Sequence, residues 1–219
     1  MTERSSAPES RGPVGEALAL AGGMAVFALC CHQRLPWSAI GAGGLLLAAI
    51  VLGRSLLRGP SPAALLGLTA ISRRTLPLAA GGCLIGVGLG CLHRWNLGLP
   101  PLPSGRWEAF AVLACLIGSA EELVYRGWLQ GRLHVLGRPA AVAAAAASHA
   151  TYKTLLFAWP LGSADVDLLI VGFWTFAGGV VFGTLRERAG NIIPAVLAHA
   201  VFDLMIYGAI AHAPWWVWS

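Results

Sequence analysis

The stretch TLPLAAGGCLIGVGLGCL, at residues 75–92, is 18 residues long and contains no charged side chain. At about 1.5 Å per residue, a helix of this length extends about 27 Å, close to the thickness of the hydrocarbon core of a bilayer. Its residues are apolar on every face rather than along one stripe, so no side of the helix favours water. The stretch therefore predicts a transmembrane helix.

Runs of the same kind recur along the chain. Hydrophobic residues make up 57% of the 219 residues and charged residues only 11%, which excludes an ordinary soluble domain. Candidate spans lie at residues 14–31, 37–53, 75–92, 107–130, 139–159, 166–185 and 191–211. The fourth and fifth contain ionisable side chains and are expected to score poorly in a plain hydropathy window. We predict an all-α, polytopic transmembrane helical bundle of about seven spans.

The arginines predict the orientation of this bundle. Seven spans place ten arginines on the side of the amino terminus, against three arginines and Lys153 on the other side. Because cytoplasmic loops carry the excess of basic residues, the amino terminus is predicted to be cytoplasmic. The ten are Arg4, Arg11, Arg54, Arg58, Arg73, Arg74, Arg132, Arg138, Arg186 and Arg188. Trp215, Trp216 and Trp218 then fit an aromatic belt on the outer side.

The chain divides into four predicted parts. Residues 1–13 form a disordered cytoplasmic tail, 14–105 three spans, 106–211 a four-span core and 212–219 a Trp-rich interfacial tail. Segment 60–71 is too short to span and is expected on the cytoplasmic surface, and Arg186-Glu187-Arg188 are expected to be solvated loop charges. The five cysteines show no zinc spacing, and the scattered arginines form no nucleic-acid surface. The expected partners are the lipid bilayer and a membrane-associated substrate, with no nucleic acid.

The core carries polar side chains that hydrocarbon disfavours. An ionisable side chain at the centre of a bilayer costs about 2.5–3.5 kcal/mol, so those that occur usually line a cavity and serve function. Measured along the helices, the carboxylates and imidazoles lie about 12–18 Å from the cytoplasmic boundary, in one layer. A carboxylate beside an imidazole is able to activate water, and a second imidazole to bind a developing oxyanion. The residues are Glu121, Glu122 and Arg126 of the fourth span, His149 of the fifth, and His199 and Asp203 of the seventh.

Several other residues receive structural interpretations. Glu122 and Arg126 are four apart, the spacing of an ion pair that neutralises itself and orients the helix. Glu121 points away from this pair, so another helix or water must hold its carboxylate. Lys153 is expected to extend outward to the interface. The stripes Gly82/Gly86/Gly90 and Gly179/Gly183 indicate close helix packing.

Three segments of the core resemble the motifs of the CPBP intramembrane proteases, a family that includes the CAAX prenyl endopeptidases and the bacterial Abi proteins. The family motifs are EExxxR, FxxxH and HxxxN or HxxxD, and the matching segments are EELVYR at 121–126, AAASH at 145–149 and HAVFD at 199–203. The resemblance covers about residues 106–208. It implies a glutamate-type endopeptidase without a cofactor, in which Glu121 and His149 activate water and His199 and Asp203 hold the oxyanion.

Two positions depart from the commonest pattern of that family. Ala145 stands where Phe is usual, which is expected to remove a packing wall near His149 and widen the substrate channel. Asp203 stands where Asn is common, and an ionised Asp only accepts hydrogen bonds. Asp203 therefore either carries a proton and donates to the oxyanion, or orients His199.

Other classes of function use the same residue types. Glu121, His149, His199 and Asp203 are acceptable metal ligands, which leaves a metal-dependent membrane protease open. Buried Glu, His and Asp also form the proton relays of transporters, and an inactive immunity or scaffold protein is a third alternative. Arginine outnumbers lysine fourteen to one, which is typical of a high-GC bacterium and places the protein in a bacterial cytoplasmic membrane. The substrate is then expected to be a membrane-associated peptide or protein tail.

Overall fold

The structure is a computed structural model that describes residues 11–58, 61–103, 108–158 and 166–208. Every regular element in these ranges is helical, as predicted. The α-helices are α1 (Arg11–Cys30), α2 (Trp37–Arg58), α3 (Pro62–Leu65), α4 (Thr75–Asn96), α5 (Ala109–Glu122), α6 (Gln130–Leu133), α7 (Arg138–Ala158), α8 (Leu168–Ala189) and α9 (Ile193–Tyr207). A π-helical segment, Leu123–Leu129, joins α5 to α6, and a 3₁₀ turn, His134–Leu136, follows α6.

Four of the described helices, α1, α2, α4 and α8, are long and apolar enough to cross a bilayer. α9 is equally apolar in character but shorter, with 15 residues. α7 has 21 residues and does not reach the apolar level of the four, as expected for a span that carries His149 and Lys153. The chain is thus a polytopic membrane bundle. The predicted limits at 107, 159 and 211 and the tryptophans near the carboxy terminus lie outside the described residues.

The helices extend beyond the hydropathy limits at their charged ends. α2 continues through Arg54 to Arg58, α4 through Arg94 to Asn96, and α8 through Arg186 to Ala189. Backbone hydrogen bonding persists where hydropathy ends, because arginine is a good helix former and leaves the last turn intact. α1 also extends beyond its hydropathy limit, because it begins at Arg11, so residues 11–13 are helical rather than part of the predicted tail.

Local signals start and stop these helices. The Asp167 side chain accepts hydrogen bonds from the backbone N–H groups of Leu169 and Ile170, which caps α8 at its first turn. Gly190 ends α8 with a φ of 63°, a left-handed conformation that glycine adopts at little cost. α9 begins next to this turn with Pro194 in its first turn, where the missing proline N–H is not needed.

The π-helical segment was not predicted from the sequence. A π-helix places more residues in each turn than an α-helix, and short π segments often occur at functional sites. Here it turns Tyr125, Arg126, Trp128 and Leu129 into the core together, each 0–1% exposed. The segment therefore replaces the single buried stripe of an α-helix with a broad buried face directly after the two glutamates.

Glycines allow close helix contacts, as predicted. The stripe on α4 faces α9: a Cβ atom built on Gly82 would lie 2.5 Å from the carbonyl oxygen of Pro194, and one on Gly86 would overlap that of Ala198. Gly179 of α8 packs against Ala146 of α7 in the same way. The bundle is consequently built from the pairs α1–α2, α4–α9 and α7–α8, with α5 lying against α9.

One end of the bundle, called here the arginine-rich end, gathers the ends of several helices. Arg132 of α6 lies with a guanidinium nitrogen 3.0 Å from a carboxylate oxygen of Glu16, near the start of α1, and also donates to Ser55 near the end of α2. The Thr69 hydroxyl donates to the Gly190 carbonyl at 2.7 Å, which brings the α3–α4 connection to this end. The end is defined by Arg54, Arg58, Arg73, Arg74, Arg132, Arg138, Arg186 and Arg188.

The prediction that residues 186–188 are solvated loop charges is partly wrong. Glu187 lies on α8 rather than in a loop, and its side chain is only 14% exposed. It accepts hydrogen bonds from Gln130 at 2.6 Å and Arg186 at 2.7 Å, and it contacts His134 at 2.7 Å. Glu187 therefore ties α8 to the turn after the π-helical segment, a role that its place in an Arg-Glu-Arg sequence did not show.

The other end of the bundle is called here the opposite end. Arg94 is buried there. Its guanidinium donates to the carbonyl oxygens of Pro100, Leu102 and Met205, at 2.7, 3.4 and 3.1 Å. The Glu108 N–H donates to the Gly208 carbonyl at 3.1 Å, so the start of α5 meets the end of α9 here. This arginine is thus committed to backbone groups rather than displayed to solvent.

Candidate active site

The polar side chains predicted from the sequence lie together inside the bundle. Glu121 comes from α5, His149 from α7, and His199 and Asp203 from α9. All four are 3–9% exposed. Three helices that are distant in sequence thus place two carboxyl groups and two imidazoles in one buried layer.

Glu121 is held from α7, as the absence of a partner on its own helix predicted. Its Oε2 lies 3.2 Å from His149 Nε2, and its Oε1 lies 2.5 Å from Lys153 Nζ. The prediction that Lys153 extends outward is wrong. A lysine stem bends toward an opposite charge that is within reach, and the Glu121 carboxylate, 10% exposed, is such a charge.

Arg126 fixes the tautomer of His149. The Arg126 Nη1 lies 2.8 Å from His149 Nδ1, and a guanidinium has no acceptor, so Nδ1 must accept this hydrogen bond. The imidazole proton is therefore on Nε2, from which it is donated to Glu121. The ring is held further by Tyr125, which stacks on it with centroids 4.4 Å apart. His149 is thus oriented on both nitrogens and on one ring face.

The Glu122–Arg126 pair is not self-contained. Glu122 Oε1 lies 3.0 Å from Arg126 Nη1, as the spacing predicted, and also 2.9 Å from His199 Nδ1. The two ions therefore form a bridge from α7 through the π-helical segment to α9, because Arg126 also binds His149. Sequence spacing within one helix showed the pair but not its two further partners.

His199 and Asp203 lie next to each other without a direct hydrogen bond. With Nδ1 donating to Glu122, His199 directs Nε2 toward Glu121 and Asp203, whose nearest oxygens lie at 3.9 and 3.8 Å. Gly118 of α5 makes room for both side chains: a Cβ atom there would overlap Asp203 Oδ2 and lie 3.2 Å from His199 Nε2. Gly118 is a site residue that was not predicted from the sequence, although it lies three residues before Glu121 on the same face of α5.

A cavity of about 40 Å³ opens beside these groups. By the usual minimum of about 10–15 Å³ for one water, it has room for more than one solvent molecule. Its walls include Gly118, Glu121, Lys153, His199, Asp203 and Tyr207. The arrangement places a carboxylate oxygen and the Nε2 of a second imidazole around a space in which a water and a substrate carbonyl group would meet.

Ala145 lies on α7, one turn before His149. It is fully buried, packs in the cluster that contains Tyr125 and Trp128, and is not part of the cavity wall. Ala145 therefore does not line this cavity directly, and a wider channel at this position stays a prediction. The aromatic neighbour of His149 comes instead from the π-helical segment, as Tyr125.

The described residues contain no group of three or more His, Cys, Asp or Glu side chains arranged to hold a metal ion. Both nitrogens of His149 are already engaged in hydrogen bonds, because one accepts from Arg126 and the other donates to Glu121. Neither nitrogen has a lone pair free for a metal in this arrangement.

The family relationship agrees with this geometry. Residues 103–205 match the sequence profile of the family described as Type II CAAX prenyl endopeptidase Rce1-like. This range contains all the polar side chains of the buried layer. No curated protein and no solved structure matches the chain. Residues 103–205 thus form an Rce1-like type II CAAX prenyl endopeptidase domain, of the CPBP family.

Proposed function

We propose that the protein is an intramembrane endopeptidase of the glutamate type, which hydrolyses a peptide bond in a membrane-associated peptide or protein tail. The family of residues 103–205 implies a peptidase. The observation that supports the glutamate mechanism is the Glu121 carboxylate, which lines a water-sized cavity and is held by His149 at 3.2 Å and Lys153 at 2.5 Å.

In the proposed reaction Glu121 acts as the general base. It takes a proton from a water in the cavity while the water oxygen bonds to the carbonyl carbon of the substrate, and the carbonyl electron pair moves onto oxygen. The protonated Glu121 then gives this proton to the amide nitrogen as the carbon–nitrogen bond breaks. His149 contributes to water activation by holding the carboxylate through its Nε2 proton, since its Nδ1 is occupied by Arg126.

His199 and Asp203 are proposed to bind the oxyanion. His199 donates from Nε2 in its imidazolium form, and the Glu122 carboxylate at Nδ1 compensates the charge of that form. A protonated Asp203 would donate beside it. His199 Nε2 and Asp203 Oδ1 are 3.8 Å apart and do not hydrogen-bond to each other, so both groups are free to donate to the oxyanion.

The proposed protein has seven spans, with its amino terminus in the cytoplasm, in a bacterial cytoplasmic membrane. The seven spans are the four long apolar helices α1, α2, α4 and α8, together with α5 and its π-helical continuation, α7 and α9. The described arginines support this orientation because most of them lie at the arginine-rich end. We accordingly assign 14–105, extended back to the start of α1 at Arg11, to the amino-terminal spans and 106–211 to the catalytic core.

The test is cleavage of an internally quenched peptide library by the detergent-purified protein. Glu121→Gln removes the base but keeps the size of the side chain, and we expect at least about a 100-fold loss of rate. Glu16→Gln is the matched control, since Glu16 is 44% exposed at the arginine-rich end. Equal rates for Glu121→Gln and the wild type would contradict the proposal. Rates abolished by a chelator and restored by added zinc would favour a metal-dependent protease instead.

A further inference from the structure

The layer of Glu121, His149 and His199 separates two unequal regions of the core. Toward the arginine-rich end the next side chains are closed to solvent, with Tyr125 at 1% exposed and Trp128 and Gln130 at 0%. Arg126, on the same side of the layer, is 1% exposed. A peptide approaching from this end would therefore meet packed side chains before it reached Glu121.

Contacts with two other helices reinforce this barrier. The Trp128 indole N–H donates to the Ser55 hydroxyl of α2 at 2.9 Å, so its ring is fixed in place. A Cβ atom on Gly127 would lie 2.6 Å from the carbonyl oxygen of Leu66, which shows how tightly the chain after α3 packs on the π-helical segment. The chain directly after α3 therefore packs on the π-helical segment.

The cavity extends in the other direction. Along α5 its wall runs from Glu121 back to Ala114, and along α7 from Lys153 forward to Phe157. Along α9 it runs from His199 to Tyr207. Because the start of α5 and the end of α9 meet at the opposite end of the bundle, all three paths lead away from the arginine-rich end.

The distribution of arginines indicates which face of the membrane each end of the bundle occupies. Among the described residues outside the buried layer, Arg34 and Arg94 are the arginines toward the opposite end, and Arg94 is 7% exposed and bound to backbone carbonyls. The arginine-rich end carries the excess that marks the cytoplasmic face. We propose, on the basis of the proposed function, that the scissile peptide reaches Glu121 from the extracytoplasmic face, so that the substrates are peptide segments exposed outside the cytoplasm.

The first test measures access without depending on activity. In a variant whose five cysteines are replaced by alanine, single cysteines are introduced at Ile117 in the cavity wall, at Trp95 near the opposite end and at Val135 at the arginine-rich end. Trp95 and Val135 are 75% and 52% exposed and report the orientation. A membrane-impermeant maleimide is applied to intact spheroplasts and to inverted vesicles.

We expect the maleimide to label Ile117→Cys and Trp95→Cys in spheroplasts, and Val135→Cys in inverted vesicles only. Labelling of Ile117→Cys from the same side as Val135→Cys, or from neither side, would overturn the proposal. So would labelling of Val135→Cys in spheroplasts, because the arginine-rich end would then face outward.

The second test measures cleavage of a water-soluble quenched peptide library added outside each vesicle type, scaled to the rate after detergent lysis. We expect spheroplast-derived, right-side-out vesicles to cleave at least about tenfold faster than inverted ones. The reverse ratio would overturn the side of entry and leave the peptidase assignment standing. If lysed wild type and Glu121→Gln cleave equally, the proposed function fails, while the maleimide result still decides which face reaches the cavity.

Discussion

Lys153 Nζ lies 2.5 Å from Glu121 Oε1, so the carboxylate proposed as the general base has an ammonium group on one oxygen and an imidazole N–H near the other. Replacement of Lys153 by Met keeps the apolar stem and removes the charge. We expect the rate constant kcat to fall at least about tenfold with a smaller change in KM, because the buried carboxylate loses its opposite charge. Steady-state kinetics on a cleaved peptide measure this split.

Lys153→Arg is the matched control because it keeps the positive charge. We expect it to retain more activity than Lys153→Met. If Lys153→Met keeps the wild-type kcat, the ammonium group does not support the reaction, and the 2.5 Å contact is only structural.

Arg126 holds two helices through one guanidinium nitrogen, at 2.8 Å from His149 and 3.0 Å from Glu122. Arg126→Met would leave Glu122, 0% exposed, without its guanidinium partner, and would free His149 to change tautomer. Breaking a buried pair by removing one partner typically costs about 3–5 kcal/mol. We therefore expect a large fall in the free energy of unfolding, measured by denaturation in detergent, together with loss of cleavage.

Arg138→Gln provides the comparison for Arg126→Met. Arg138 is also paired with a glutamate, at 3.7 Å from Glu187, but its side chain is 79% exposed. An exposed ion pair contributes about 0–1 kcal/mol, so the unfolding free energy should change little. Equal destabilisation by the two substitutions would refute the structural importance of the bridge.

The membrane class of the fold could be predicted because apolar runs long enough to span a bilayer are conspicuous in the sequence. The helices that carry the site could be predicted because an ionisable group inside such a run stands out. Glu121, His149 and His199 stand out in this way and do lie together. The direction of Lys153 could not be predicted, because a lysine stem reaches either the interface or a buried partner. Which of these it reaches depends on where Glu121 of another helix lies.

Two further features depend on packing that a single helix does not reveal. Gly118 resembles a packing glycine such as Gly179 until α9 is placed beside it, where Asp203 and His199 occupy the space of a Cβ atom. The π-helical segment Leu123–Leu129 contacts α7 and α8 as well as its neighbours α5 and α6, and no periodicity within the segment itself predicts it. An estimate of depth from a uniform rise of about 1.5 Å per residue cannot account for it.

The role of Asp203 can be tested with substitutions that keep or remove a hydrogen-bond donor at this position. Asn keeps the shape of the side chain and always carries an N–H donor, so Asp203→Asn should retain activity within about tenfold if the group donates to the oxyanion. Asp203→Leu removes the donor, and loss of one oxyanion donor typically costs about 10²–10³ in kcat. The measurement is kcat for the two variants with one peptide. Inactivity of both would indicate that Asp203 acts through its negative charge on His199.

Gly118 should be intolerant of even one methyl group. In Gly118→Ala the new Cβ would overlap Asp203 Oδ2 and come within 3.0 Å of His199 Cδ2, and both atoms belong to α9 side chains that face the cavity. We expect these side chains to be displaced and kcat to fall at least about tenfold, because reactions depend strongly on the placement of the groups that bind the oxyanion.

Gly88→Ala is the control, since a Cβ on this exposed α4 residue meets no atom within 4 Å. That substitution should leave kcat unchanged and stabilise the helix slightly, because alanine loses less backbone entropy than glycine. Wild-type cleavage by Gly118→Ala would show that the close approach of α5 to His199 and Asp203 is not needed for the reaction.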